Sequence, residues 1–170
     1  MAHQVKFKGT PKNLAGTEVK AGAAAPEFAC VTQGLEVVTL ATTPKKARLF
    51  SAVPSLDTPV CSLETKKFDD AIASLKDQVA CYTISLDLPF AQKRYCGDQK
   101  IASMQTLSDV HNMSFAKNWG VLLEGLPIPL LARAVFVVDK NNKVTYVEYV
   151  SEVTSEPNYD AAVAALKAAV

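Results

Sequence analysis

The sequence predicts an α/β fold: a mixed central β-sheet flanked by helices on both faces, with an N-terminal β-hairpin. Three observations carry that reading. Ala47–Val53, Val79–Ser85 and Ala134–Val138 are short apolar runs of the kind found in strands buried on both faces. Between the first two, Phe68, Ala71, Ile72 and Leu75 recur at i, i+3, i+4 and i+7, which describes one apolar face of a helix. The 170 residues are 49% hydrophobic and 21% charged, the balance of a globular chain that buries one core, and no linker or repeat divides residues 1–170 into more than one domain.

The elements follow in order. A hairpin is expected from Gln4–Lys8 and Thr17–Lys20 around the turn-rich Gly9-Thr10-Pro11-Lys12-Asn13, followed by the loop Gly22–Pro26. Strand candidates come next at Phe28–Thr32 and Glu36–Leu40. Pro54 stops the strand Ala47–Val53 because proline has no ladder donor. A long helix begins near Thr58, a good N-cap, with Pro59 as its first residue, and ends near Asp77. After Val79–Ser85, Asp87-Leu88-Pro89 opens a second helix that Gly97 closes just past its C-cap. A third helix is expected over Asn112–Trp119. Ala134–Val138 and Lys143–Tyr149 pair across Asp139–Asn142, and Asn158–Ala169 is an alanine-rich last helix. The order β-β-α-β-α-α-β-β-α points to a thioredoxin-like layer fold.

Composition excludes several functions. Eighteen basic against seventeen acidic residues leave a formal charge of +1 without a basic block, so capture of nucleic acid or an anionic membrane is not indicated. No apolar run is long enough to span a bilayer. The N-terminus, from Met1 to Lys8, alternates apolar and polar residues where a signal peptide needs a continuous apolar stretch, which predicts a cytoplasmic protein. Cys30, Cys61, Cys81 and Cys96 form no C-x-x-C and no dense disulfide framework, so free thiols are expected. The histidines are His3, in a terminus expected to be mobile, and His111; neither a metal nor a bound cofactor is expected.

Chemistry concentrates at two residues. With Thr58 at the N-cap, Cys61 falls at the third helical position, where free backbone N–H groups and the helix dipole favour an anion and hence a thiolate. An ordinary half-buried cysteine fits the local sequence equally well. Arg133 lies between Leu130-Leu131-Ala132 and Ala134-Val135-Phe136-Val137-Val138, and a guanidinium buried there needs an anionic partner. In a layered fold that partner could be Cys61, or an ordinary carboxylate. Cys30 and Cys81, inside apolar strand runs, read as core residues.

The segment Pro54 to Cys61 reads P-x-x-x-T-x-x-C. Together with Asp87-Leu88-Pro89-Phe90-Ala91-Gln92, Leu131-Ala132-Arg133-Ala134 and Thr154-Ser155-Glu156-Pro157, it resembles the bacterial thiol peroxidase subfamily of the peroxiredoxins over nearly the whole chain. The resemblance implies that Cys61 is the peroxidatic nucleophile, oxidised by hydrogen peroxide or an organic hydroperoxide to a sulfenic acid. It further implies that Thr58 hydrogen-bonds the thiolate and the peroxide, that Arg133 holds Cys61 ionised, and that Pro54 shields the sulfur. Cys96 would be the resolving cysteine, giving a Cys61–Cys96 disulfide recycled by thioredoxin in a homodimeric enzyme. Placed before Gly97 at the negative end of its helix, Cys96 suits that second step, and both segments are expected to unwind locally for the bond to form. Apolar residues near Phe90, Trp119 and Leu122–Leu126 are candidates for the interface or the substrate pocket.

Two positions depart from the subfamily pattern: Lys66-Lys67 stands before Phe68 where an arginine is usual, and Ser51-Ala52-Val53 precedes Pro54 without an aromatic residue. Rival readings are a thioredoxin-like binding module without turnover and a cysteine hydrolase using Cys61 with His111. Neither accounts for Thr58, Arg133 and Cys96 together.

Overall fold

The structure, a computed structural model, describes residues 3–170; Met1 and Ala2, where the N-terminal alternation begins, lie outside the described residues. Seven strands form the main sheet in the order β10 (Val144–Tyr149), β9 (Ala134–Val138), β5 (Ala47–Ala52), β6 (Val79–Ser85), β7 (Met104–Ser108), β3 (Ala29–Val31) and β4 (Val37–Thr39). β5, β6 and β7 run parallel and the outer pairings are antiparallel. Parallel neighbours need crossovers, and α1 (Pro59–Ile72) and α2 (Pro89–Gln99) supply them. Every residue of β5 and β9 is buried, in keeping with the uninterrupted apolar sequence of β9 and the apolar run of β5, which only Arg48 and Ser51 interrupt.

Successive residues of a strand point to opposite faces, and this divides the core in two. Leu49 and Val137 pack with Phe68 and Ile72 of α1 and with Ala162 and Leu166 of α4 (Tyr159–Ala168). Phe50 and Phe136 face the other side, where Phe115 of α3 (Ser114–Asn118) and Trp119 complete an aromatic cluster. Helices therefore cover both faces, and the fold is the thioredoxin-like α/β layer that the element order predicts. Among the described residues, no helix is long and apolar enough to cross a membrane.

Several expectations are corrected. The hairpin's second strand is β2 (Thr10–Ala15), not Thr17–Lys20, and β1 (Gln4–Phe7) turns into it through Lys8 and Gly9 alone, both at positive φ. Thr10-Pro11-Lys12-Asn13 has turn composition, yet Leu14 donates to the His3 carbonyl, so the ladder bonds fall on alternate residues and Pro11 sits where no donor toward β1 is needed. His3 is packed, its ring 4.2 Å from that of Tyr149. β7 has no counterpart in the sequence reading, since polar residues interrupt its apolar ones; pairing with β6 and the buried Asp69 carboxylate, which takes the N–H groups of Ala102, Ser103 and Met104, fix it. β8 (Leu122–Leu123), which joins the hairpin sheet through β2, is too short to read from sequence. Helix α2 runs past Gly97, and Lys100 at φ 52 provides the left-handed cap expected of glycine.

Candidate active site

β5 ends at Ala52, and the chain turns through Pro54 into a loop that delivers Thr58 and Pro59 to the start of α1. Thr58 has the extended backbone of an N-cap (φ −96°, ψ 145°) and its carbonyl accepts the first helical bond from Ser62. Its side chain does not cap. The hydroxyl instead donates to the Ser55 carbonyl at 2.8 Å, leaving its oxygen free to accept a further bond. The inward face of α1 is Cys61, Glu64, Thr65, Phe68, Asp69 and Ile72, whereas Ala71 is exposed. Of the expected apolar face, Phe68, Ile72 and Leu75 pack on the sheet and Ala71 alone does not, because the buried face extends toward Thr65 and Asp69 instead.

Cys61 is 0% exposed and packs with Val53, Leu56 and Tyr95. Arg133, 2% exposed and just before β9, donates through Nη2 to Cys61 Sγ at 3.3 Å and through Nε to the Val153 carbonyl at 2.8 Å. Its Nη1 donates to Glu64, a carboxylate buried one helical turn beyond Cys61. Ser51 of β5 donates to the other Glu64 oxygen at 2.7 Å, so one continuous network runs Cys61–Arg133–Glu64–Ser51. Burial pushes the Glu64 carboxyl up to about 6, against the opposing pull of Arg133 and Ser51. Burial alone would lower the Arg133 guanidinium, but Glu64 and Cys61 hold it above its ordinary value, and it stays charged.

Glu64 is the residue that sequence reasoning missed. The signal was present: an acid three positions after Cys61 falls on the same helix face, within reach of whatever pairs with Cys61.

Above this network lies a pocket of about 330 Å³. Pro54, Thr58 and Arg133 reach its wall, and Phe7 and Lys8 from the hairpin turn, Val60, Leu130 and Val153 make the rest largely apolar. The hairpin is held in place by Glu152, whose carboxylate accepts from the Gly9 N–H at 2.9 Å and the Lys8 N–H at 3.1 Å. The Gly9 bond first, then those from the Thr154 N–H and hydroxyl, and last that from Lys8, keep Glu152 down at about 2. Trp119 is wholly buried in the aromatic core and Leu122–Leu126 do not line this pocket; Phe90 is 64% exposed at the start of α2.

Cys96 lies in the last turn of α2, half-buried, with Sγ 3.8 Å from Thr106 Oγ1 of β7; burial pushes its thiol up. All four cysteines are free. Cys30 and Cys81 are buried in strands, and Cys30 donates to the Asp109 carboxylate at 3.5 Å. His111 is exposed in the loop before α3 and is not part of the network. Lys66 pairs with Asp70 at 3.0 Å and Lys67 with Glu156 at 2.7 Å, so neither takes part in the Cys61 network.

A small, strongly donating floor under an apolar shaft suits a reaction in which negative charge develops on oxygen beside sulfur. Residues 20–163 match the Redoxin family. The thiol peroxidase of Clostridium acetobutylicum is 52% identical over 98% of this chain and 99% of its own length. That of Bacillus subtilis is 48% identical over 98% of each. A crystal structure of a peroxiredoxin-like protein from Aquifex aeolicus superposes with a TM-score of 0.93 at 43% identity, covering 100% of this chain and 99% of that one. Similarity of that extent, in sequence and in fold together, means that the chain belongs to the bacterial thiol peroxidases, a branch of the peroxiredoxins.

Proposed function

We propose that the chain reduces hydrogen peroxide and organic hydroperoxides at Cys61, with Cys96 as the resolving thiol and thioredoxin as the reductant. The observation that carries the reading is the buried contact between Arg133 Nη2 and Cys61 Sγ beneath an apolar pocket. The Cys61 thiolate attacks one peroxide oxygen, the O–O bond breaks, and the departing oxygen takes a proton and leaves as water or an alcohol. Cys61 is left as a sulfenic acid.

Arg133 steadies the charge on sulfur and on the departing oxygen. Thr58 Oγ1 accepts from the peroxide hydroxyl, because its own proton is committed to Ser55. Pro54, buried beside the site, keeps water from the sulfur. Cys96 then attacks the Cys61 sulfur, water leaves, and a disulfide forms that thioredoxin reduces.

The walls contributed by Phe7, Val60, Leu130 and Val153 favour a hydroperoxide with an apolar body over hydrogen peroxide itself. A homodimer working in the reducing cytoplasm belongs to the same reading, and the exposed Leu88 and Phe90 beside the Cys61 loop are apolar surface for a second copy to cover. Sedimentation of Phe90→Glu tests it: an unchanged dimer moves the interface elsewhere.

The decisive experiment adds one equivalent of hydrogen peroxide to the reduced protein, quenches with an alkylating reagent and maps the cysteine peptides by mass. A Cys61–Cys96 cross-link with Cys30 and Cys81 still alkylated is expected. A free Cys96 beside an oxidised Cys61 would assign resolution to an external thiol, and an unreacted Cys61 would overturn the peroxidase reading.

A further inference from the structure

The segment Asp87–Gln92 plays no part in the chemistry above, yet it opens the helix that carries Cys96, and the side chain of its first residue reaches the loop that carries the nucleophile. Asp87 is half-buried between β6 and α2. Its carboxylate accepts from Ser55 Oγ at 2.7 Å, from the Leu56 N–H at 2.8 Å and from Ser85 Oγ at 2.7 Å. The first two donors belong to the loop that delivers Cys61 to α1. Gln92, buried in the first turn of α2, donates to the same Ser85 hydroxyl at 3.1 Å and to the Leu107 carbonyl at 2.9 Å.

Other polar ties between the two segments are weaker. The Arg94–Asp57 ion pair, at 3.1 Å, is largely exposed at both ends and screened by water. Tyr95 Oη donates to the Ser62 carbonyl at 2.8 Å, a bond between neutral groups. A carboxylate with three short donors is the strongest link of the set.

Meanwhile each sulfur is held by a different partner, Cys61 by Arg133 and Cys96 by Thr106. A disulfide needs the sulfurs about 2.05 Å apart, so at least one segment must leave its place before the bond can form.

We propose that Asp87 is the clasp that restrains this separation, and so sets how the Cys61 sulfenic acid divides between its two fates. The inference rests on the function proposed above. In one fate the Cys96 sulfur attacks the Cys61 sulfur, the S–O bond breaks, an S–S bond forms and water leaves. In the other, the sulfenic sulfur attacks a second hydroperoxide, whose O–O bond breaks; sulfur is oxidised to the sulfinic acid and the peroxide is reduced to its alcohol or to water. Only the first fate needs the segments to part. Asp87 touches no reacting atom: it is a positioning residue that acts through Ser55 and Leu56.

The test titrates reduced protein with hydrogen peroxide, quenches with an alkylating reagent, and reads the ratio of disulfide to sulfinic acid by mass. That ratio does not depend on how fast the sulfenic acid forms, so a general loss of activity does not move it. In Asp87→Asn the charge is gone and an amide faces the donors, and the ratio at a given peroxide concentration should rise roughly tenfold. Ser55→Ala, which removes one of the three bonds, should raise it about threefold and decides the matter if Asp87→Asn does not fold. Arg94→Ala, which cuts only the exposed ion pair, should change it by less than about twofold. An unchanged ratio in the Asp87 and Ser55 variants overturns the clasp, and a lowered one means that Asp87 steers α2 toward Cys61 instead. A native chain whose Cys61 is oxidised without forming a Cys61–Cys96 disulfide would overturn Cys96 as the resolving thiol, and the clasp with it, and an unreacted Cys61 would overturn the peroxidase reading itself.

Discussion

Arg133 serves three acceptors at once, and that geometry belongs to a guanidinium. Cys61 Sγ, the Glu64 carboxylate and the Val153 carbonyl lie around its planar fork. A lysine keeps the charge but offers a single point of it. Arg133→Lys should therefore slow sulfenic acid formation by roughly 10²-fold or more, measured as single-turnover peroxide consumption; a rate within a few-fold of the native one would remove the guanidinium from the chemistry. Glu64 makes a pH-dependent prediction. Its folded carboxyl, raised by burial from the ordinary 4.5 to about 6, holds its proton more tightly than the unfolded chain does. The stability this contributes is present below about pH 4.5 and is lost as pH rises through about 6, a change of about 2 kcal/mol. Glu64→Gln should lack that change. The native protein should thus lose about 2 kcal/mol relative to the variant between pH 4.5 and 7 in urea unfolding, and parallel curves would show that Glu64 ionises normally.

At the scale of elements, the start of α1 and the β1–β2 hairpin divide the work of the site. The helix supplies free N–H groups and fixes Cys61 one turn before Glu64. The hairpin supplies part of the pocket wall, with Phe7 and Lys8 at a turn that Glu152 pins from the far end of the chain. Removing the Phe7 ring should raise KM for an aromatic hydroperoxide by about tenfold and far less for hydrogen peroxide, which is too small to touch it. Equal effects on both substrates would make the hairpin a structural cover rather than a selective wall. The start of α1 was legible because Thr-Pro states a helix N-terminus locally. The hairpin's register was not, because Thr10-Pro11-Lys12-Asn13 has turn composition while the turn itself is Lys8-Gly9.

Across the whole molecule, the sheet is the fixed body and the redox segments are its adjustable parts. β5, β6 and β9 are buried almost throughout, whereas Ser55, residues 57–59 and much of α2 are half-buried or exposed. Regions with little buried apolar surface open at the least cost in free energy. Oxidation to the proposed Cys61–Cys96 disulfide should accordingly speed amide exchange in residues 55–62 and 89–100 and leave β5, β6 and β9 protected, as read by hydrogen exchange with mass spectrometry. Exchange that sped up evenly would mean that the disulfide strains the whole fold.

The sequence by itself determined the strands of the core, the helix that presents Cys61 and the family resemblance, because those signals are local: apolar runs, helical period, capping residues and short motifs. It also set the requirement that Arg133 find an anion, since a guanidinium in an apolar stretch cannot go unpaired. Only the tertiary structure decided that Cys61 and Glu64 share that guanidinium, that β7 joins the sheet, and that Asp87 holds the Cys61 loop. Each of these is a pairing between residues distant in the chain, and such pairings are chosen by packing and hydrogen-bond satisfaction across layers, which no local pattern encodes.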